Sequence, residues 1–195
     1  MSHAERLKWN ARYAEQGASR EPSRLVEALA GELPRGGRAL DIAGGGGRHA
    51  LWLARRGFDV TLADISETAL DLGRRAAADA GLQMRTVAID FEADPFPVGP
   101  WDLLLSFHYL WRPLFDIAPR VLAPGGHLVF IHPTRSNLLR HPKPGPAFLL
   151  EDGEIQGLVL AAGLSILRYE EGWSDGGRHE ARLVAQRPLD AATSR

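Results

Sequence analysis

The sequence contains no cysteine among its 195 residues. This absence excludes disulfides, thiolate metal sites and a cysteine nucleophile. It is also compatible with an intracellular location. No apolar run approaches the roughly 20 residues of a membrane-spanning helix. The N-terminal residues 1–8 also lack the apolar core of a signal peptide. We therefore expect a cytoplasmic protein without a membrane partner.

The chain also lacks an excess of charge of either sign, with 23 Lys and Arg against 24 Asp and Glu. Proteins that bind nucleic acid usually carry an excess of positive charge, which this sequence lacks. We therefore expect no nucleic-acid partner. The seven histidines show no metal-ligand spacing such as His-x-x-x-His, so we predict no metal. The length suits a single domain over residues 1–195, and nothing in the sequence indicates the oligomeric state.

Glycine, by contrast, is abundant, and four of the 21 glycines stand together at Gly44–Gly47. Four glycines in a row would weaken a helix or a strand, so they form a turn. An apolar strand over residues 38–43 precedes this turn, and an amphipathic helix over residues 49–56 follows it. The pattern is the first half of a βαβ unit, whose glycines let backbone N–H groups approach a ligand closely.

Two classes of ligand fit such a turn. The segment Gly45–Ala50 matches the dinucleotide fingerprint Gly-x-Gly-x-x-Ala, with Asp64 about twenty residues further on to hold a ribose. Asp41 argues against a dinucleotide, because its carboxylate would face a doubly charged pyrophosphate. The same carboxylate suits S-adenosylmethionine, which has no phosphate and carries an ammonium and a sulfonium. The turn therefore favours the methyl donor over a dinucleotide.

Helical periodicity and apolar runs alternate along the rest of the chain. The predicted helices cover residues 4–16, 23–32, 49–56, 67–80, 113–122 and 151–162. The predicted strands cover residues 38–43, 58–64, 84–89, 101–107, 127–131, 164–170 and 180–187. Strands that are apolar on both faces and alternate with helices indicate a parallel sheet covered on each side. A tight turn is predicted at residues 123–126, and the last two strands are predicted to form a hairpin.

Two segments are predicted to act as covers. The N-terminal helix, within residues 1–20, has mixed charges and must lie on another surface of the protein. Residues 133–148 form a loop with four prolines, which is long for a simple connection in a compact domain. We expect both segments to behave as lids over a site at the ends of the strands.

The order of these features resembles that of the class I S-adenosylmethionine-dependent methyltransferases, from about Trp9 to Arg187. Five segments carry the resemblance: Leu40–Arg48, Leu62–Ser66, Ile89–Glu92, Trp101–Ser106 and Leu122–Gly126. The resemblance implies an α/β, Rossmann-like, doubly wound sheet of seven strands in the order 3-2-1-4-5-7-6. Strand 7 would be antiparallel and helices would cover both faces. Ala43 departs from the family pattern, which usually has a glycine there, and its methyl group should tighten the turn without closing it.

Within this family, Trp9-x-x-Arg12-Tyr13 and Phe107–Phe115 resemble the small tellurite-resistance and thiopurine-type methyltransferases. The resemblance implies S-adenosylmethionine as the cofactor and a small-molecule methyl acceptor, with a soft sulfur, selenium or tellurium nucleophile. One alternative is methylation of oxygen or nitrogen in a small metabolite. Another is a protein that binds the cofactor as a sensor or partner subunit and has lost catalysis.

The resemblance also implies which residues hold the cofactor. Asp41 would hold the ammonium of the methionine arm, directly or through water. Asp64 would accept from both ribose hydroxyls, since one carboxylate can accept two hydrogen bonds. Asp90 would accept from the adenine amino group. The remaining implied contacts are Ala43, Gly45 and Gly47 at the methionine end, Ser106 beside the methionine arm, and Ile65 and Phe91 against the adenine.

The acceptor is expected at the ends of the fourth and fifth strands. His108, Tyr109 and His132 are the catalytic candidates, because a histidine can act as a general base near neutral pH. The residues expected to close over the acceptor are Trp9, Tyr13 and Arg112. The sequence shows no paired acid and base at these strand ends, and this favours a soft acceptor, which needs no base.

Overall fold

The structure, a computed structural model, describes residues 3–190, so residues 1–2 and 191–195 of the predicted domain lie outside it. The strands of the described part are β1 (Gly37–Ile42), β2 (Phe58–Asp64), β3 (Arg85–Ala88), β4 (Trp101–Phe107), β5 (Leu122–Pro133), β6 (Ser165–Trp173) and β7 (His179–Gln186). Its α-helices are α1 (His3–Gln16), α2 (Arg24–Glu27), α3 (Arg48–Arg55), α4 (Glu67–Asp79), α5 (Leu114–Val121) and α6 (Glu154–Ala161). No helix among residues 3–190 is long and apolar enough to cross a bilayer.

The strands form one seven-stranded sheet in the order β3-β2-β1-β4-β5-β7-β6. Strands β1 to β5 pair in parallel, whereas β7 runs antiparallel to both β5 and β6. The predicted order and the antiparallel seventh strand are therefore confirmed. The chain changes direction across the sheet between β1 and β4, and open α/β sheets bind ligands at the carboxyl ends of the strands at such a point.

The core lies on both faces of the sheet, because successive residues of a strand point to opposite faces. On one face, Leu103 and Val129 pack in a cluster with apolar residues of α2, α3 and α4. On the other face, Leu104 and Leu128 pack in a cluster with residues of α5 and α6. Helices on both faces are thereby confirmed, and the central strands are mostly apolar because neither of their sides meets water.

The second predicted helix, over residues 23–32, is wrong in its length. Helix α2 ends at Glu27, and a 3-10 turn follows at Ala30–Glu32. Gly31 stands inside that turn, and glycine costs more backbone entropy in a helix than any other non-proline residue. Val26 and Leu29 of the segment are nevertheless buried, and Leu25 is partly buried against the same cluster. The apolar residues therefore pack as a helical periodicity suggests, although the helix is shorter than predicted.

Two predicted connections have more structure than expected. The tight turn at residues 123–126 is instead part of β5, because its glycines exchange backbone hydrogen bonds with Arg187, just beyond β7. The predicted loop at residues 133–148 contains two 3-10 turns, at Arg135–Leu139 and Pro146–Phe148. The first correction arises from a backbone partner that is distant in sequence, whereas the 3-10 turns are closed by local hydrogen bonds such as that from the Phe148 N–H to the Gly145 carbonyl.

Helix α1 lies across the glycine turn and the start of α4. The Ser66 hydroxyl donates a hydrogen bond to Asn10 Oδ1 (2.7 Å), and the same hydroxyl caps α4 by accepting from the Ala69 N–H. Tyr13 reaches the turn itself, since a Cβ built on Gly45 would lie 2.1 Å from the Tyr13 hydroxyl oxygen. The N-terminal helix therefore covers the carboxyl edge of β1 and β2.

Candidate active site

The glycine turn connects β1 to α3 and reverses the chain within a few residues. Gly45 and Gly47 have φ angles of 58° and 78°, in the left-handed region that favours glycine. Ala43 also has a positive φ, 51°, although it carries a Cβ. The left-handed conformation costs a residue with a Cβ about 1–2 kcal/mol. This explains why glycine is usual at that position in the family that the sequence resembles.

Asp41 lies beneath the turn and is fully buried. Its Oδ2 accepts a hydrogen bond from the Ala50 N–H (3.1 Å), whereas its Oδ1 has no partner among the described residues. Burial raises the pKa of Asp41 to about 7; the Ala50 N–H opposes this rise and the charge of Asp64 adds to it. A buried oxygen without a donor is unusual and fits a site that receives a polar or cationic group. A direct contact between Asp41 and an ammonium remains a prediction.

Asp64, the last residue of β2, joins two neighbouring loops. Its Oδ2 accepts from the Gly45 N–H and its Oδ1 accepts from the Ser66 N–H, both at 2.8 Å. Burial raises the pKa of Asp64, and these backbone hydrogen bonds oppose the rise. A carboxylate offers about four lone pairs, so both oxygens can also accept from the hydroxyls of a ligand. The geometry is compatible with the predicted contact to a ribose.

A cavity of about 570 Å³ opens at the carboxyl ends of β1, β2 and β4, beneath α1. Sites for small molecules usually have volumes of about 300–1,000 Å³. The structure brings eight of the predicted site residues to its walls: Trp9, Tyr13, Ala43, Asp64, Ile65, Phe91, His108 and Tyr109. Residues 133–148 contribute nothing to these walls, so the predicted cover from this loop has no support in the geometry.

Other predicted cofactor contacts lie behind the walls of the cavity. Gly45 is covered by Tyr13, as described above, and Gly47 is not among the lining residues. Ser106 donates its hydroxyl to the carbonyl of Tyr109 (3.1 Å) and so fixes the loop after β4. Asp90 is buried, and its Oδ1 accepts a hydrogen bond from the Glu92 N–H at 3.0 Å. These residues shape the site, and their direct contacts to a cofactor stay predictions.

Two predicted acceptor-side residues point away from the cavity. Arg112 pairs with Glu154 of α6, with Nε 2.5 Å from Oε1, so it does not close over the site as predicted. His132 donates from Nε2 to the Phe148 carbonyl (2.9 Å), and its buried Nδ1 has no partner among the described residues. Burial lowers the pKa of His132 to about 4. The geometry gives both side chains a role in holding the segment after β5, and it does not support the catalytic role predicted for His132.

His108 follows β4 directly and has a strained backbone. Its φ is 60°, and its N–H donates to the Ile131 carbonyl at 2.8 Å. Its ring stacks on Phe107, with the ring centroids 4.0 Å apart. A positive φ is uncommon outside glycine, and such residues cluster at functional sites. The backbone and the stacked ring together fix the direction of the imidazole.

A buried carboxylate lies behind this imidazole. The Nε2 of His108 is 2.5 Å from Oε1 of Glu180, a residue of β7 that is only 1% exposed. Arg178, from the hairpin turn, approaches the other ring nitrogen, Nδ1, at 3.3 Å. Burial lowers the pKa of His108, although the contact with Glu180 works in the opposite direction. Burial alone would raise the pKa of Glu180, but the hydrogen bond from His108 and other contacts outweigh it and lower that pKa.

Sequence reasoning missed both Glu180 and Arg178. The prediction that no acid and base are paired at the strand ends is wrong, because Glu180 lies 72 residues from His108 along the chain. A usable signal did exist, since the family's sheet order sets strand 7 antiparallel beside strand 5. That order brings the start of β7 to the end of β5, where Glu180 pairs in register with Pro133.

Three guanidinium groups face the cavity, those of Arg12, Arg48 and Arg178. Arg48 lies over the Phe107 ring, with Cζ 5.0 Å from the centroid, and burial lowers the pKa of this arginine. Within residues 3–190, none of the three forms an ion pair with a carboxylate. The cavity is therefore cationic away from Asp64 and suits an anionic ligand.

Outside the cavity, Asp152, Glu171 and His179 bring ligand-type atoms within 4.8 Å of one another. Hydrogen bonds already engage all three, and the Ser136 N–H donates to Asp152 Oδ1 at 3.1 Å. The Thr134 hydroxyl meets His179 Nδ1 at 2.6 Å, and the Gly153 N–H donates to Glu171 Oε2 at 3.0 Å. These residues are far apart in sequence, so no ligand spacing could reveal the group. The prediction that the protein binds no metal stays a prediction.

The sheet order, the glycine turn after β1 and the carboxylate at the end of β2 together define the class I methyltransferase fold. Residues 39–126 match the family model described as a methyltransferase domain. The chain belongs to the class I S-adenosylmethionine-dependent methyltransferases.

Comparison with known proteins supports this placement. The demethylmenaquinone methyltransferase of Thermus thermophilus is 32% identical over 139 residues, which cover 67% of this chain and 56% of that protein. The chain spans about half the length of the curated relatives it matches. Among solved structures, TehB from Haemophilus influenzae has a TM-score of 0.70 and 19% identity, covering 92% of this chain and 67% of that one.

A second solved structure with a similar fold is named for a different reaction. The [4+2]-cyclase SpnF has a TM-score of 0.71 and 19% identity, with 86% of this chain and 82% of that one covered. At such identities the likeness shows the fold alone. Because one of these neighbours is named as a cyclase, the fold does not fix the reaction, and the side chains in the cavity must decide it.

Replacing Asp64 by alanine should weaken binding of S-adenosylhomocysteine by about 2–4 kcal/mol, because two charge-assisted hydrogen bonds are lost. Calorimetry measures the affinity, and thermal denaturation checks that the variant folds. Asp59→Ala is the matched control, since Asp59 lies at the opposite end of β2 and forms a surface ion pair with Arg85. Unchanged affinity in Asp64→Ala would show that the ribose is held elsewhere.

The raised pKa of Asp41 predicts that product binding depends on pH. Above the unfolded value of 3.8, burial of this carboxyl costs the fold stability, and the cost grows until the group ionises near pH 7. The ionised group attracts an ammonium, so the affinity for S-adenosylhomocysteine should rise as the pH increases through about 7. Calorimetry as a function of pH should show this step in the wild type and not in Asp41→Asn. Identical profiles in the two proteins would contradict the assignment.

Proposed function

We propose that the protein transfers a methyl group from S-adenosylmethionine to a small-molecule acceptor. The observation that supports this most directly is the composition of the cavity wall, with Asp64 at the end of β2 and His108 at the end of β4. When bound, S-adenosylmethionine supplies a methyl group carried on a sulfonium. Methyl transfer needs the acceptor atom in line with the bond that breaks, so holding both molecules in one cavity supplies much of the acceleration.

The side chains present fit the cofactor. Asp64 offers carboxylate lone pairs to ribose hydroxyls, while Ile65 and Phe91 give apolar walls of the kind that an adenine requires. Beneath the turn, the unpartnered Oδ1 of Asp41 adds a buried acceptor near the expected position of the methionine arm.

We infer that the acceptor is small and anionic. Arg12, Arg48 and Arg178 face the cavity without carboxylate partners, and a ligand with an ionised oxygen or sulfur would satisfy them. The Thermus relative is named for a quinone-type acceptor. Three guanidinium groups favour a small charged acceptor over a predominantly apolar one.

A soft acceptor remains one form of this proposal. Thiolates and the oxyanions of selenium and tellurium are anionic, and the resemblance to the tellurite-resistance and thiopurine-type enzymes favours them. The sequence also favoured a soft acceptor because it showed no paired acid and base at the strand ends. His108 and Glu180 form such a pair, so that argument no longer holds and hydroxyl acceptors belong in the same test.

Purified protein with S-adenosylmethionine should methylate anionic acceptors in preference to their neutral analogues, read as S-adenosylhomocysteine formed. A suitable panel is a small thiol, selenite with a reductant, a phenol, an amine, and 2-hydroxybenzoate beside its methyl ester. Arg178→Gln should raise KM for the anionic acceptor about tenfold, since a charge-assisted contact contributes about 1.5–3 kcal/mol. Arg135→Gln is the control, because Arg135 pairs with Glu151 at the surface. Product binding without turnover of any acceptor would contradict the proposal and favour a sensor or partner subunit.

Helix α1 is proposed to act as a lid, because Trp9, Arg12 and Tyr13 line the cavity from above and Tyr13 lies over Gly45. Hydrogen exchange in residues 3–16 should slow when S-adenosylhomocysteine is added. Residues 133–148 and α6 serve as internal controls and should change little, since neither lines the cavity. Equal exchange in α1 with and without the product would rule out the lid.

A further inference from the structure

We propose that Glu180 is a positioning residue that makes His108 the general base for a hydroxyl acceptor. The inference rests on the proposed methyl transfer and names the acceptor class more closely. The accepting atom is a hydroxyl oxygen that still carries its proton, and an anionic group lies beside it in the same molecule.

Glu180 fixes the tautomer of the His108 ring, with the hydrogen on Nε2. A carboxylate only accepts hydrogen bonds, so the ring nitrogen 2.5 Å from Oε1 of Glu180, Nε2, carries the hydrogen. Glu180 is almost completely buried on β7, which holds the carboxylate in place. The lone pair of the neutral ring is therefore on Nδ1.

The other ring nitrogen of His108, Nδ1, lies on the side of the cavity and of Arg178. Arg178 Nη1 lies 3.3 Å from Nδ1, and both His108 and Arg178 line the cavity. Arg178 is itself exposed, so its guanidinium is free to change partners. An acceptor whose hydroxyl takes the place of Arg178 at Nδ1 offers the displaced guanidinium its anionic group. The guanidinium of Arg178 thus occupies Nδ1 of His108 until an anionic acceptor binds and displaces it.

His108 differs from its neighbour His132 in the groups that its two ring nitrogens contact. His132, whose ring centroid is 6.4 Å from that of His108, gives its Nε2 hydrogen to a backbone carbonyl and lies outside the cavity. His108 has a carboxylate at one nitrogen, the cavity at the other, and a strained φ of 60°. A carboxylate behind a histidine fixes the ring and stabilises the imidazolium that forms when the ring takes a proton.

The reaction balances with these groups. The hydroxyl proton of the acceptor passes to Nδ1 of His108, and the oxygen electron pair forms the new O–C bond. The C–S bond breaks with its electrons, which leaves S-adenosylhomocysteine as a neutral thioether and the acceptor as a methyl ether. The positive charge lost from sulfur appears on the imidazolium, beside the Glu180 carboxylate, and the proton then leaves to solvent.

Several charged or titratable groups act on His108 besides Glu180. They are Arg178 from the hairpin, Arg48 and His49 from α3, and His132 from β5. The two arginines, like burial, lower the pKa of His108, while Glu180 raises it. The net result is a lowered pKa, which favours the neutral ring that a general base requires.

Nitrogen NMR of protein labelled in histidine tests the positioning role without any turnover, with His108→Gln identifying the signals. The wild type should show the Nε2–H tautomer at His108. In Glu180→Gln the His108 pKa should fall by about one unit, because an opposite charge at this distance is lost. Glu170→Gln is the matched control, since Glu170 on β6 pairs with Arg168 outside the cavity. A hydrogen on Nδ1 in the wild type, or an unchanged pKa in Glu180→Gln, would overturn the inference.

Turnover of two matched probes tests the acceptor class. His108→Gln should slow methylation of 2-hydroxybenzoate by about 10²–10⁴-fold in kcat, the usual contribution of a general base, and Glu180→Gln by a smaller factor. Methylation of 2-mercaptobenzoate, whose thiol ionises without help, should change little. Equal losses with both probes would overturn the base role. If neither probe nor any other acceptor is methylated while the NMR result holds, the proposed function fails and the orientation of His108 stands.

Discussion

One buried carboxylate holds the functional edge of this sheet together. Asp64 accepts hydrogen bonds from Gly45 and Ser66, so the end of β2, the glycine turn and the start of α4 share a single point of attachment. Ser66 then caps α4 and donates to Asn10, which brings α1 to the same place. A ligand that reaches the turn therefore meets groups already held in position by backbone hydrogen bonds, as precise binding requires.

The fold could be predicted well because its central strands leave few alternatives. Leu103 to Leu105 are buried in turn on opposite faces, and such a run fits only a sheet covered on both sides. The order of strands came from the family resemblance and was correct. One error occurred where distant backbone decides the local structure, because residues 123–126 pair with Arg187 beyond β7.

The two halves of the site differed in how far the sequence could predict them. The cofactor half is encoded in short motifs, and Ala43, Asp64 and Ile65, which were predicted as cofactor contacts, all line the cavity. The acceptor half is assembled from strand ends and a hairpin that are far apart in the chain. Glu180 meets His108 only because β7 folds back beside β5, and nothing local indicates this carboxylate in preference to others. Arg112, predicted to close over the acceptor, pairs with Glu154 of α6, which is also distant in the chain.

The proposed function requires that the cavity hold the methyl donor between Asp64 and His108. A crystal structure of the complex with S-adenosylhomocysteine tests this most directly, through the position of the ribose and of the sulfur. We expect both ribose hydroxyls on the Asp64 carboxylate and the sulfur about 6–8 Å from Nδ1 of His108, a span that fits a methyl group, an acceptor oxygen and one hydrogen bond. A ribose bound away from Asp64, or a sulfur facing away from His108, would contradict it.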